Sequence, residues 1–177
     1  GLLEFAPAPD PGFASLLWQA VLGAWPASRE RLHAYAEKAM REAGDRTRWT
    51  APDADYEAAV HALVDAAFDS PAVGEVLDGL LARVVAPGWS NALAAKLLAL
   101  TMPGVPDVYQ GSELWEQSLV DPDNRRAVDL DLRASLLAGL GERLPEGSVN
   151  LADPGLDKLL VTTRALTLRI DRPDLFT

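Results

Sequence analysis

The chain has no cysteine, which excludes a disulfide framework and a thiolate metal site. Its two histidines, His33 and His61, leave little room for histidine-based metal or triad chemistry. Basic residues are outnumbered, 16 against 26 acidic, giving a net charge of −10 and a pI near 4.6. Such a balance argues against sequence-independent nucleic-acid binding, which requires a basic surface to release counterions. No run approaches the roughly 18–20 apolar residues that span a bilayer. The opening Gly-Leu-Leu-Glu-Phe has neither the basic flank nor the small-residue cleavage site of a secretory signal. The expectation is a cytoplasmic protein with no membrane partner. The first residue is not Met, so length alone does not make the chain a whole protein.

What is present is helical periodicity. Pro7, Pro9 and Pro11 suggest an extended lead-in over residues 1–11. Apolar spacing then predicts a helix from Phe13 to Trp25, ended by Pro26. A second, capped by Ser28, runs to a left-handed stop at Gly44. A third starts at Asp53 or Asp55 and reaches Phe68. Ser70-Pro71 opens a fourth, broken at Pro87-Gly88. The fifth, from Ser90 through Leu93, Leu97, Leu98 and Leu100, is apolar on more than one face and is expected to be the most buried. Val105 to Gln110 is the best candidate for a short buried strand, followed by a long ordered loop. Helices six (Asp131 to Leu144) and seven (from Asp153-Pro154, closed by Pro173) complete the chain. The fold class is mainly α, about seven helices with one or two short strands.

His33 and His61 are read as isolated on helices, Lys38 as solvated, and Lys96 as paired with an acid or snorkelling. Trp18 and Trp25 are read as packing residues, and Trp89 as an anchor of the turn between helices four and five. Trp49, beside Arg46 and Arg48, is either a distal sugar contact or a packing residue. Asp121-Pro122-Asp123-Asn124 lacks the later glycine and glutamate of a calcium loop. No metal or cofactor is expected.

One segment exceeds an ordinary interhelical link. Met102 to Val128 holds Tyr109, Gln110, Glu113, Trp115, Asp121, Asp123, Asn124, Arg125 and Arg126. Helix connections are usually about 2–8 residues. Aromatic rings pack on sugar C–H faces, and carboxylates, amides and arginines bind hydroxyls. Those nine residues are therefore the candidate substrate contacts. A purely structural reading stands beside it, with arginines pairing aspartates to hold the loop closed.

Pro-Gly-Val-Pro-Asp-Val-Tyr-Gln-Gly-Ser-Glu (103–113) resembles the segment around the eighth barrel strand of the α-amylase superfamily, glycoside hydrolase family 13. Its continuation, Leu-Trp-Glu-Gln-Ser-Leu-Val-Asp-Pro-Asp-Asn-Arg-Arg (114–126), resembles the maltooligosyl trehalose synthase family. Leu17-Trp18-Gln19-Ala20, Arg48-Trp49-Thr50, Pro87-Gly88-Trp89-Ser90-Asn91 and Arg172-Pro173-Asp174-Leu175-Phe176 agree with it. Ala127, where the family usually has proline, departs from it. The resemblance implies a C-terminal piece of a larger enzyme built on a (β/α)8 barrel. Residues 12–101 would be a helical subdomain inserted in or flanking that barrel. Residues 102–144 would be its last strand, sugar-site loop and following helix, and 145–177 would lead to a missing β domain. The implied reaction is intramolecular. It turns the reducing-end α-1,4 linkage of a maltooligosaccharide into an α,α-1,1 linkage. The family's three catalytic carboxylates lie upstream of everything matched, so no residue here is assigned a catalytic role. The implied partners are the maltooligosaccharide and the remainder of the enzyme. The alternative is a non-catalytic carbohydrate-binding or helical interaction module.

Overall fold

The computed structural model describes residues 2–143 and 154–176. The helices are α1 (Leu2–Phe5), α2 (Pro11–Ala24), α3 (Arg29–Ala43), α4 (Ala54–Asp69), α5 (Pro71–Thr101), α6 (Leu130–Arg143) and α7 (Pro154–Asp171), with 3-10 turns at Asp123–Arg125 and Pro173–Leu175. The fold is mainly α, as the periodicity predicts. The expected helix ends at Leu144 and Asp153 lie outside the described residues.

The chain divides into two compact units. The first comprises the residues up to Val84 together with Gln117–Arg126. The second comprises Val85–Glu116 and the residues from Ala127 onward.

In the first unit the caps follow the local chemistry. The Asp10 carboxylate accepts from the amides of Gly12 at 2.8 Å and Phe13 at 3.1 Å, with Pro11 opening α2. Ser28 caps α3, and Asp53 caps α4 by accepting from Tyr56 at 3.0 Å. Gly44 stops α3 at φ 71°, a backbone angle that disfavours a Cβ. Each helix buries one stripe. Ala14, Leu17, Trp18, Val21 and Ala24 of α2 meet Leu32, Ala36 and Met40 of α3. Val60, Leu63, Val64 and Ala67 of α4, with Val73 and Leu77 of α5, complete that core. Trp18 is buried and Trp25 packs against the cluster, as expected.

Glu57 of α4 is a buried charge beside this packing. Arg41 donates to both its oxygens, at 2.9 and 2.8 Å, and the buried Thr47 hydroxyl donates at 2.5 Å. These donors hold the Glu57 carboxyl down at about 2, against the smaller upward push of burial.

Four expectations are corrected. Residues 2–5 are helical rather than extended. Pro87-Gly88 does not break the chain: α5 continues for 31 residues with Pro87 inside. Proline removes one amide donor, and the helix carries on past that single missing bond. The Leu97–Leu100 stretch is not the most buried. Leu100 is fully covered, but Leu97 and Leu98 are 47% and 60% exposed. Hydrophobicity records what requires a cover, not whether one lies within reach. Finally, Val105 to Gln110 forms no strand, and Val105 is 98% exposed. A strand needs a partner for its amides and carbonyls. Among the described residues the one β-type pairing is an isolated bridge between Arg48 and Ala51.

The second unit buries Leu100, Leu140, Leu159 and Ala165. Arg169 of α7 caps the end of α5. It donates to the carbonyls of Leu100 and Met102, both at 3.0 Å, and to that of Gly104. A helix C-terminus leaves such carbonyls without intrahelical partners, and a cation satisfies them in hydrogen bonding and in charge.

Candidate functional site

The structure divides the candidate loop between the two units. Tyr109, Gln110, Glu113 and Trp115 belong to the second, and Asp121, Asp123, Asn124, Arg125 and Arg126 to the first.

In the second unit a turn closes from Ser112 to the Tyr109 carbonyl at 3.0 Å. Gly111 sits there at φ 87°, and an added Cβ would meet Val128 at 3.3 Å and the Glu116 carboxylate at 3.4 Å. Arg133 of α6 fixes the turn. It donates to the Glu113 carboxylate at 3.2 Å and to the Gly111 carbonyl at 2.9 Å. Lys96 of α5 donates to the Ser112 hydroxyl at 3.2 Å, rather than to an acid. Trp115 stacks on Trp89, with centroids 6.0 Å apart and planes 20° from parallel. The Lys158 ammonium lies 5.2 Å from the Trp115 ring. Burial pulls the Lys158 pKa down, and the like charge of Lys96 adds to this. Trp89 is therefore not a turn anchor, since α5 has no turn there; it is the stacking partner of the loop tryptophan. Tyr109 and Gln110 are exposed.

In the first unit the loop lies along α3. Asp123 receives Arg31 as a fork, Nε at 2.8 Å and Nη2 at 2.7 Å, and accepts the Leu119 amide at 2.7 Å. The Arg31 hydrogen bonds, opposed by burial and helped by the Leu119 amide, hold the Asp123 carboxyl at about 2. The same guanidinium donates to the Gln117 carbonyl at 2.8 Å. The Gln117 amide donates to the Trp25 carbonyl at 3.2 Å. Lys38 is not solvated: it is half-buried and donates to the Asp121 carbonyl. Arg125 pairs with the Asp121 carboxylate while remaining 73% exposed. Arg126 donates to the Asp123 carbonyl and to the Ser118 hydroxyl, both at 3.1 Å. Leu119 packs on the core. Between α3 and the loop lies a cleft of about 260 Å³, walled by Tyr35, Lys38, Val120 and Pro122 among others.

The two histidines are not isolated. Their Nδ1 atoms lie 2.7 Å apart, and His33 Nε2 is 3.0 Å from Asp65. Arg29 bridges Asp65 and Asp69. Burial lowers the His61 pKa first, and the His33 charge second. The hydrogen bond from His33, then that from Arg29, lowers Asp65. Trp49 is 56% exposed under the Arg41 guanidinium, 4.9 Å from its centroid. Among the described residues no cluster of three or more His, Asp or Glu is placed to hold a metal, and no helix is long and apolar enough to cross a membrane.

Sequence reasoning missed Arg31, Lys38 and Arg133, the cations that anchor the loop. A signal existed for two of them. Arg31, Tyr35 and Lys38 stand at i, i+4 and i+7, one face of α3, and the aspartates opposite require positive partners. Arg133 carried no such pattern.

No protein-family model matches the chain. A curated Mycobacterium tuberculosis (strain H37Rv) protein carrying the maltooligosyl trehalose synthase name is 48% identical over 97% of this chain and 21% of that protein. The solved structure of maltooligosyltrehalose synthase from Arthrobacter ramosus is 53% identical, with a TM-score of 0.83 over 93% of this chain and 21% of that one. A hypothetical maltooligosyl trehalose synthase of Sulfolobus tokodaii is 30% identical, with a TM-score of 0.83 over 99% of this chain and 24% of that one. The chain thus spans about a fifth of the length of the curated relatives it matches.

Proposed function

We propose that this chain, whose sequence and fold are similar to a segment of maltooligosyl trehalose synthase, serves in trehalose synthesis as one part of a larger enzyme. The enzyme is an intramolecular glucosyl transferase. It detaches the reducing-end glucose of a maltooligosaccharide from its α-1,4 linkage and rejoins it α,α-1,1, leaving a terminal trehalose unit. The observation that carries this reading is the identity of 48% sustained over 97% of the chain.

The chemistry is that of a retaining glycosidase, with a carboxylate nucleophile and a carboxylic acid/base. Those groups come from the (β/α)8 barrel of the remainder of the enzyme, in the cytoplasm. This chain supplies substrate contacts. Tyr109, half-exposed, offers a ring face to a glucose unit, with Gln110 beside it. Asn124, Arg126 and the exposed Arg125–Asp121 pair bind hydroxyls of the sugar being turned. Glu113, Asp123 and Trp115 serve from behind, because their polar or ring contacts go to Arg133, Arg31 and Trp89. Holding the detached glucose and excluding water separates transfer from hydrolysis. Exposed Leu97, Leu98 and Val105 are the surface against which the remainder of the enzyme packs.

The test is a full-length polypeptide containing this chain, supplied with maltopentaose. Reducing ends should disappear as a trehalose-ended product accumulates, and the chain alone should convert nothing. Reducing ends that persist with the full-length enzyme overturn the reading.

A further inference from the structure

We propose that Arg31, on a helix remote in sequence from the loop, is a positioning residue for the transfer reaction: by gripping Asp123 and Gln117 it fixes the segment carrying Asn124, Arg125 and Arg126. This rests on the function proposed above and deepens it.

The geometry is that of a clamp. One guanidinium holds the segment at two points, the Asp123 carboxylate through two donors and the Gln117 carbonyl through a third contact at 2.8 Å. A forked arginine–carboxylate pair fixes orientation as well as distance, which a single hydrogen bond does not. The pair is shielded, Arg31 24% and Asp123 15% exposed, so solvent screens it less than a surface pair. Lys38, two turns further along α3, holds the Asp121 carbonyl and so steadies the segment just before its 3-10 turn. With its oxygens taken by Arg31 and by the Leu119 amide, Asp123 acts on the loop rather than on a sugar. The exposed members, Arg125 and Arg126, inherit their position from this clamp. A displacement of about 1 Å in a group that orients substrate can change a rate by up to about a hundredfold.

The experiment uses the full-length enzyme with Arg31→Met, Arg31→Lys, Asp123→Asn and the double Arg31→Met/Asp123→Asn. Maltopentaose is the substrate. Three readouts are taken: free glucose against trehalose-ended product, kcat and KM separately, and hydrogen exchange of peptides covering residues 117–126. Arg31→Met should speed exchange in that segment and raise the glucose-to-trehalose-ended ratio by about threefold or more. Arg31→Lys should recover part of the wild-type ratio, and the double variant should be no worse than the worse single. If Arg31→Met does not fold, Arg31→Lys decides by the same ratio. A faster-exchanging segment with wild-type partitioning overturns the proposal, and so does unchanged exchange. If the unsubstituted enzyme leaves reducing ends intact, the proposed function fails by itself, and the exchange data still judge the clamp.

Discussion

Glu57→Gln tests the electrostatic centre of the first unit. The substitution keeps the shape, removes the charge, and turns an amide NH2 toward either Arg41 or Thr47, both of which are donors. The native carboxyl is held from an ordinary 4.5 down to about 2 by those same donors. A difference of that size corresponds to about 3 kcal/mol at about 1.4 kcal/mol per pKa unit. The side chain retains a thin solvent edge, 11% exposed, which brings the figure to about 2 kcal/mol. The sign follows from the direction. A carboxyl whose pKa is lowered by folding stabilises the fold above its unfolded pKa and loses that contribution as pH falls toward its folded one. The gap between native and variant chains should therefore be full at neutral pH, shrink below 4.5 and close near 2. Urea unfolding followed by far-UV circular dichroism reads it directly. At a typical slope the native midpoint should exceed the variant's by about 1 M at neutral pH. Equal midpoints at neutral pH would refute the reasoning, as would a gap that does not narrow in acid.

Three further outcomes are expected. Gly111→Ala places a Cβ at φ 87° against Val128 and Glu116, and should cost the second unit about 1–2 kcal/mol in thermal unfolding. Pro87→Ala restores an amide donor inside α5 and should raise the melting temperature, by about 1 kcal/mol of stability or more; a lower melting temperature would mean that the proline is required where it stands. Arg126→Ala removes the contacts to Ser118 and Asp123 and, in the full-length enzyme, should increase free glucose relative to trehalose-ended product; wild-type partitioning would count against a sugar-holding role.

Much of the helical frame could be read from short-range chemistry. Asp10, Ser28, Asp53 and Gly44 act on neighbours within four residues, so their caps are visible in sequence. What depends on distant partners was not visible. Val105 to Gln110 has strand composition, but composition does not supply a neighbouring strand. Pro87-Gly88 has breaker chemistry, yet one lost amide donor does not end α5. His33 and His61, 28 positions apart, meet only because α3 packs on α4. At the candidate site the loop itself stood out through its charges and rings. Its anchors did not, since Arg31 is an ordinary helical arginine until Asp123 comes within reach.

The clamp also bears on how the polypeptide is made. Arg31 and Asp123 are separated by 92 residues. At about 5–20 residues per second, a ribosome needs roughly 5–20 seconds to deliver the second after the first. The α2–α4 packing is local and can form in that interval, with Arg31 exposed and the groove beside it open. The first unit is thus finished late, from a strip of chain synthesised after the whole of α5. A chaperone or a mistimed pause acting in that window would meet a nearly complete bundle still lacking its last strip.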